Sequence, residues 1–365
     1  MKIKIIFALT FITITLTACN YQNETQVETR IVTDVWQRQV EIPLTVESII
    51  ALGSGAPRIA AYLDVIDMLM GAEDSDINNF VVLRDYNPVH HYALRQLPSV
   101  GAGGGSGNNN AHPEEIILLS PDVILAAFSP EAAEELQRQT GIPVVAVRYI
   151  STGLANETFF AAMRVFAEVV GAQERCEEVL AFIDAARADL NSRTAHIPDA
   201  EKLRVYVGAV TFNGQRGFGG TYANFGPLDV INALNVADEV NEEGFFEADF
   251  EKITIWDPDV IFLDPGNMHL VNYEFGTNPN FFNSLRAVQD GRVYTMPAFN
   301  FAATNITYAL MNAYFAGTIL FPDQFADVDI AEKSAEILTF FLGKNTFQIM
   351  EDGGLYYGQI IIGEQ

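Results

Sequence analysis

The sequence predicts an α/β protein of two Rossmann-like lobes joined by one long rigid helix, with a ligand cleft between the lobes. Three observations carry this. Short apolar strands alternate with helical stretches twice along the chain, the pattern of parallel sheets covered by helices on both faces. The two alternating regions are separated by a helical stretch without strand signals, 156–195. The stretch "EEIILLSPDVIL" from Glu114 returns as "EKITIWDPDVIF" from Glu251, identical at six of twelve positions. A device repeated at equivalent places implies a repeated unit.

The elements follow in order. "MKIKIIFALTFITITLTAC" has two lysines, then an apolar run, then small residues. It reads as a signal peptide over 1–18, because the run falls short of the ~20 apolar residues a span requires. Its end, Leu16-Thr17-Ala18-Cys19, resembles the bacterial lipobox. That resemblance implies cleavage before Cys19 and lipid on its thiol, with 19–30 a flexible polar tether. Cys176, the second of two cysteines, then has no partner and reads as a small buried thiol.

The first lobe spans 31–155. "RIVTDVWQRQVEIP" alternates as a hairpin. "ESIIALGSGAPRIAAYLD" reads strand, glycine loop, helix. The segment from Asp76 to Leu97 is expected to be irregular, and "GAGGGSGNNN" a flexible insert. The first copy of the device follows, then a helix at "PEAAEELQRQTG" and a strand at "PVVAVRYI". Between the lobes, Cys176, Val179, Leu180, Ile183 and Leu190 share a face. A helix from Ala172 to Arg193 would be about 33 Å long at 1.5 Å per residue. The second lobe, 196–365, repeats the scheme: strand "KLRVYVGAV", a glycine-aromatic loop at "TFNGQRGFGGTYANFGP", a helix at "LDVINALNVADEV", the second device, strand "RVYTMPAFN" and closing helices.

The net charge is −26, and two positive charges leave with the leader. Such a surface repels nucleic acid, so no nucleic-acid partner is expected. The acidity itself fits solubility or a salty habitat as well as function. There is no G-x-S-x-G elbow, no H-E-x-x-H and no phosphate loop ending in Gly-Lys-Ser/Thr. No enzyme activity, no catalytic residue and no resident cofactor are expected, although a two-lobed chelatase or hydrolase stays open.

Together the lipobox, the hairpin, the paired E-x-I-x-x-x-x-P-D-V-I segments and the helical linker resemble bacterial substrate-binding lipoproteins of ATP-driven importers. The branch is the one for ferric siderophores, haem and cobalamin. The resemblance covers nearly all of the mature chain. It implies a monomer outside the cytoplasm, held to the membrane by lipid, that delivers a metal chelate to an ABC permease dimer. It also implies that Glu114 and Glu251, each seven residues before its proline, dock on permease arginines. The alternative for each glutamate is a first-turn acid that complements its helix dipole. A ferric siderophore is the expected ligand class, with cobalamin, haem and an oxyanion such as molybdate open.

Ligands of open α/β sheets bind beyond the carboxyl ends of strands. The first lobe then offers Ser54 and Arg58 in "GSGAPR", Ser129, Arg148 and Tyr149. The second offers Arg216, Tyr222, Asn224, Asn267, Met268, Phe299 and Asn300. For each the alternative is loop packing. His90, His91, His112 and His269 are expected in or near cleft loops. Direct metal ligation by them is not expected, since a bare-metal site needs about four converging ligands.

Overall fold

The computed structural model describes residues 28–104, 110–148, 153–154, 156–240 and 243–364. The expected signal peptide, Cys19, most of the tether and Tyr149 lie outside them. No helix among the described residues is long and apolar enough to cross a membrane.

The chain enters with an antiparallel hairpin, β1 (Thr29–Thr33) and β2 (Gln39–Pro43), so the strand begins inside the stretch expected to be tether. Asp34 ties the hairpin down. Its buried carboxylate pairs with Arg38 at 2.6 Å and accepts the Ala146 N–H, while Arg38 donates to the Val144 carbonyl. β3 (Ile49–Leu52) leads through a glycine turn into α1 (Ala56–Tyr62). The stretch expected to be irregular holds the end of α2 (Asp74–Ile77) and the whole of α3 (Asn87–Leu94). Pro88 at the start of α3 is a favoured opening residue, which the reading of that stretch missed. It follows that His90 and His91 sit on a helix, not in a loop. α4 (Pro113–Leu119), β4 (Val123–Ala126), α5 (Pro130–Thr140) and β5 (Val144–Ala146) complete the lobe. Its sheet is parallel in the order β3-β4-β5, with Ile50 opposite Ile124 and Ile124 opposite Val144.

Two helices join the lobes: α6 (Glu157–Val170) and α7 (Gln173–Thr194). Asn156 caps the first, and Gly171 in the left-handed region ends it. The second has 22 residues, about 33 Å long. It buries Cys176, Val179, Leu180, Ile183 and Leu190, the face the sequence predicts.

The second lobe begins with β6 (Arg204–Gly208). The expected glycine-aromatic loop contains β7 (Gly220–Ala223). The helix expected at 228–240 does not form. α8 (Gly226–Asp229) stops within a turn, because Asn232 adopts a left-handed conformation at φ 53° and its amide bonds to Asn191 and Thr194 of α7. β8 (Leu234–Asn235) and a 3-10 turn follow, and β9 (Gly244–Glu247) then pairs antiparallel with β7. The remainder is α9 (Phe250–Trp256), β10 (Val260–Leu263), α10 (Met268–Thr277), α11 (Pro279–Ser284), α12 (Arg286–Gln289), β11 (Val293–Thr295), α13 (Ile306–Leu320), α14 (Ile330–Leu342) and α15 (Phe347–Asp352). Its main sheet is parallel in the order β11-β10-β6-β8.

The repeated device has a structural job in both lobes. α4 and α9 each end on a left-handed residue, Ser120 and Asp257, just before the proline. The following aspartate grips the neighbouring strand at its start. The Asp122 N–H donates to the Ser48 carbonyl and its carboxylate accepts the Ser48 N–H at 2.9 Å. The Asp259 N–H donates to the Arg204 carbonyl and its carboxylate accepts the Arg204 N–H at 2.9 Å. Pro-Asp therefore sets the register of β4 on β3 and of β10 on β6.

Side chains alternate across each sheet with period two. Ile49, Ala51, Val123, Leu125 and Val145 face one way, and Ile50, Leu52, Ile124, Ala126, Val144 and Ala146 the other. In the second lobe Val205, Val207, Val260 and Phe262 oppose Tyr206, Ile261 and Leu263. The first-named face of each sheet joins α6, α7, α13 and α14 in a single apolar core that runs through both lobes. Burial on both faces is why these strands read as unbroken apolar runs.

Candidate functional site

The strands of both sheets point their carboxyl ends at loops that carry aromatic, arginine and asparagine side chains. In the first lobe the turn after β3 requires glycine. Gly53 and Gly55 have φ of 104° and 77°, and a Cβ on Gly55 would stand 2.3 Å from the Ala302 carbonyl of the other lobe. Ser54, between them, is half-exposed at the surface of this turn. The Gly53 N–H donates to the buried Glu73 carboxylate, whose pKa burial pushes up to about 7. After β4, Ser129 caps α5 by accepting the Ala132 N–H at 3.3 Å. After β5, Arg148 is exposed and lies over the Trp36 ring, 5.4 Å from its centre. The hairpin brings Trp36 here, and its indole N–H donates to the Phe128 carbonyl at 2.9 Å.

The second lobe supplies a longer aromatic wall. Phe212 stacks on Phe245 at 4.7 Å, and Tyr222 meets both rings edge-on. Arg216 lies over Phe245 at 5.0 Å, donates to the Phe212 carbonyl and stands 3.7 Å from Glu247. Phe225 meets Phe299 edge-on at 5.3 Å. A narrow recess of about 20 Å³ lies among Thr211, Tyr222, Asp264, Phe299 and Asn300, room for about one water. Burial pushes the Asp264 carboxyl up to about 6, against the Thr211 hydroxyl and the Gly266 N–H, which favour its ionised form. Burial likewise raises the Tyr222 phenol.

Several expected ligand residues have other employment. Arg58 is 1% exposed. Its guanidinium pairs with Asp85 at 2.8 Å and donates to the Ala302 carbonyl and the Asn305 side chain, each at 2.7 Å. It is a bond between the lobes, not a ligand contact, because no face of it is left for solvent. Asn267 is also buried. It donates to the Ala209 carbonyl at 2.7 Å and so holds Ala209 in its left-handed conformation at φ 53°. Met268 is buried at the start of α10. Asn224 differs from these: only its backbone N–H is engaged, donating to Asp238 at 2.7 Å, and its side chain is exposed. Phe299 is buried against Phe225, and Arg148, Arg216, Tyr222, Asn224, Asn300 and Ser54 remain at the strand ends with exposed surface. Trp36, Phe212 and Phe245 join them unforeseen. The signal for Trp36 was its place in the hairpin turn, legible only once the hairpin is known to pack on β5.

The histidines are dispersed. His91 approaches the Asp76 carbonyl at 3.2 Å, His112 precedes α4, and His269 is exposed on α10. His90 is half-buried, and desolvation lowers its pKa. Among the described residues no group of three or more His, Cys, Asp or Glu could hold a metal ion. Glu114 and Glu251 stand in the first turns of α4 and α9, both exposed.

Two sheets that aim their strand ends at loops of both lobes, joined by the helices α6 and α7, define a two-lobed solute-binding protein. The chain belongs to the periplasmic binding protein family, whose match covers residues 60–298. It is an extracytoplasmic solute-binding protein of an ABC importer. It is similar to the molybdate-binding protein MolA of Haemophilus influenzae, 24% identical over 324 residues, 82% of this chain and 87% of MolA. Among solved structures it resembles a periplasmic solute binding protein from Veillonella parvula (TM-score 0.69, 19% identity, 90% of this chain and 97% of that one). It also resembles Helicobacter pylori CeuE with Ni(II) bound (TM-score 0.58, 17% identity, 86% and 95%).

Proposed function

We propose that this protein captures a bulky anionic metal chelate of the ferric-siderophore class and hands it to its permease. One observation carries the reading: each lobe presents an arginine lying on an aromatic face, Arg148 on Trp36 and Arg216 on Phe245. A guanidinium held flat on a ring offers charge and stacking together, which suits an anionic ligand with flat aromatic donors. The aromatic wall behind Arg216 gives such a ligand apolar area that a bare oxyanion would not use.

The mature chain has two tryptophans with opposite surroundings. Trp36 is 39% exposed beside Arg148, and Trp256 is buried under the second sheet. A ferric tricatecholate titrated into the protein is expected to quench tryptophan emission saturably. Trp36→Phe should remove most of that quenching, and Trp256→Phe should keep it. Quenching that survives in Trp36→Phe would place the ligand elsewhere.

A second reading is an oxyanion ligand, favoured by the similarity to a molybdate-binding protein. Calorimetry with sodium molybdate separates the two. Tight molybdate binding with no response to ferric tricatecholate or trihydroxamate would overturn the chelate reading.

Membrane attachment through Cys19 belongs to the same proposal and rests on the Leu-Thr-Ala-Cys end of the apolar leader. Cys19→Ser is expected to abolish labelling by a fatty-acid analogue. Label retained on the variant would refute the anchor.

A further inference from the structure

α4 and α9 match beyond their acids. Ile116 and Ile253, two residues after Glu114 and Glu251, are both fully buried. Leu118 and Ile255, four residues after, are 79% and 77% exposed, the two most exposed large aliphatic side chains among the described residues. Residues i and i+4 share a helix face, about 5–6 Å apart, and their side chains lean toward the helix N-terminus. Each aliphatic side chain therefore stands beside the acid of its own lobe. A single exposed leucine is ordinary. A matched pair is not, at one position of a duplicated element whose acid and buried isoleucine are matched as well.

We propose that Leu118 and Ile255 are two apolar docking knobs, which enter equivalent apolar recesses on the two subunits of a two-fold permease. This rests on the reading of Glu114 and Glu251 as docking acids. The patch fixes the partner's chemistry: an apolar recess beside a cation, present twice and related by a two-fold axis, because the acid-aliphatic pair occurs once in each lobe. A net charge of −26 opposes a second copy of this chain or an anionic lipid surface as the occupant. The acids steer and orient, and the aliphatic side chains exclude water at the contact.

The test uses ligand-loaded protein and the detergent-solubilised permease of its own importer, with affinity measured at low and high salt. Leu118→Ser and Ile255→Ser are each expected to weaken the complex about tenfold, and the pair about a hundredfold. The loss should be similar at both salt concentrations, since apolar burial is not screened, and ligand affinity should be unchanged. Ile31→Ser and Ile361→Ser, at aliphatic sites 55% and 62% exposed outside α4 and α9, should have no effect. If the serine pair binds like wild type while Glu114→Ala/Glu251→Ala does not, the knobs are refuted and the docking acids stand. If both double variants bind like wild type, the docking reading falls as well. Self-association of the wild type that the serine pair abolishes would make this face a contact between copies and overturn the proposal.

Discussion

Asp85→Ala is expected to cost about 3–5 kcal/mol of folding stability, the cost of stranding one partner of a buried ion pair. The carboxylate lies within the shared core and collects bonds from both lobes. One oxygen accepts from Arg58 at 2.8 Å. The other accepts from the Tyr62 hydroxyl and from the Thr307 hydroxyl, the latter at 2.7 Å. Alanine would leave a buried guanidinium with no anion and two buried hydroxyls short of an acceptor. Arg58 also holds the Ala302 carbonyl, in a loop where Ala302 and Ala303 both have positive φ, 48° and 64°. That loop carries Phe299 and Asn300, so the variant should also bind ligand more weakly. Arg58→Met/Asp85→Leu should recover part of the lost stability, because two apolar groups leave no charge unpaired. Equilibrium urea unfolding measures both. A loss below about 1 kcal/mol for Asp85→Ala would show that the cluster is no clamp.

The same cluster marks where sequence reading succeeds and where it ends. The strands were legible because two-faced burial writes continuous apolar runs, as in Val123–Ala126 and Val260–Leu263. The linker was legible because Cys176, Val179, Leu180, Ile183 and Leu190 repeat at helical spacing. Glu114 and Glu251 could be paired because their surroundings are duplicated. Arg58 was misread because a loop arginine beside glycines looks free until its partners are known. Asp85 is 27 residues away and Asn305 is 247, and neither separation leaves a local pattern. The helix at 228–240 failed for a related reason: local propensity favoured it, and the bonds from Asn232 to α7 overrode it. Trp36, Phe212 and Phe245 escaped notice because ring stacking follows tertiary placement, not spacing. Where a residue's role rests on its own element it could be read, and where it rests on an element distant in sequence it could not.

Glu114→Ala/Glu251→Ala is expected to leave the protein folded and loaded while nearly abolishing uptake in cells. Both carboxylates are exposed in the first turns of seven-residue helices. Each contributes to its helix only through the dipole, about 0.3–1 kcal/mol at a surface. Unfolding free energy should therefore change by no more than about 2 kcal/mol in the double variant, by the same principle. The Arg148–Trp36 and Arg216–Phe245 platforms stand on segments other than α4 and α9, so ligand affinity should hold. The effect belongs at a partner surface. Two acids at equivalent places, one per lobe, can engage two equivalent cations only if the partner is itself two-fold, and losing one should leave a weaker, tilted complex. Single variants should thus transport at reduced rates, and the double variant should approach the rate without the binding protein. Glu114→Arg and Glu251→Arg should be worse than alanine, since like charges then face each other across the contact. Raising ionic strength should weaken the wild-type complex and hardly change what remains in the double alanine variant, because the screened interaction has gone. Radiolabelled chelate uptake, read beside protein abundance in the same cells, decides the matter. Wild-type uptake by the double variant at wild-type abundance would end the docking role of these two residues.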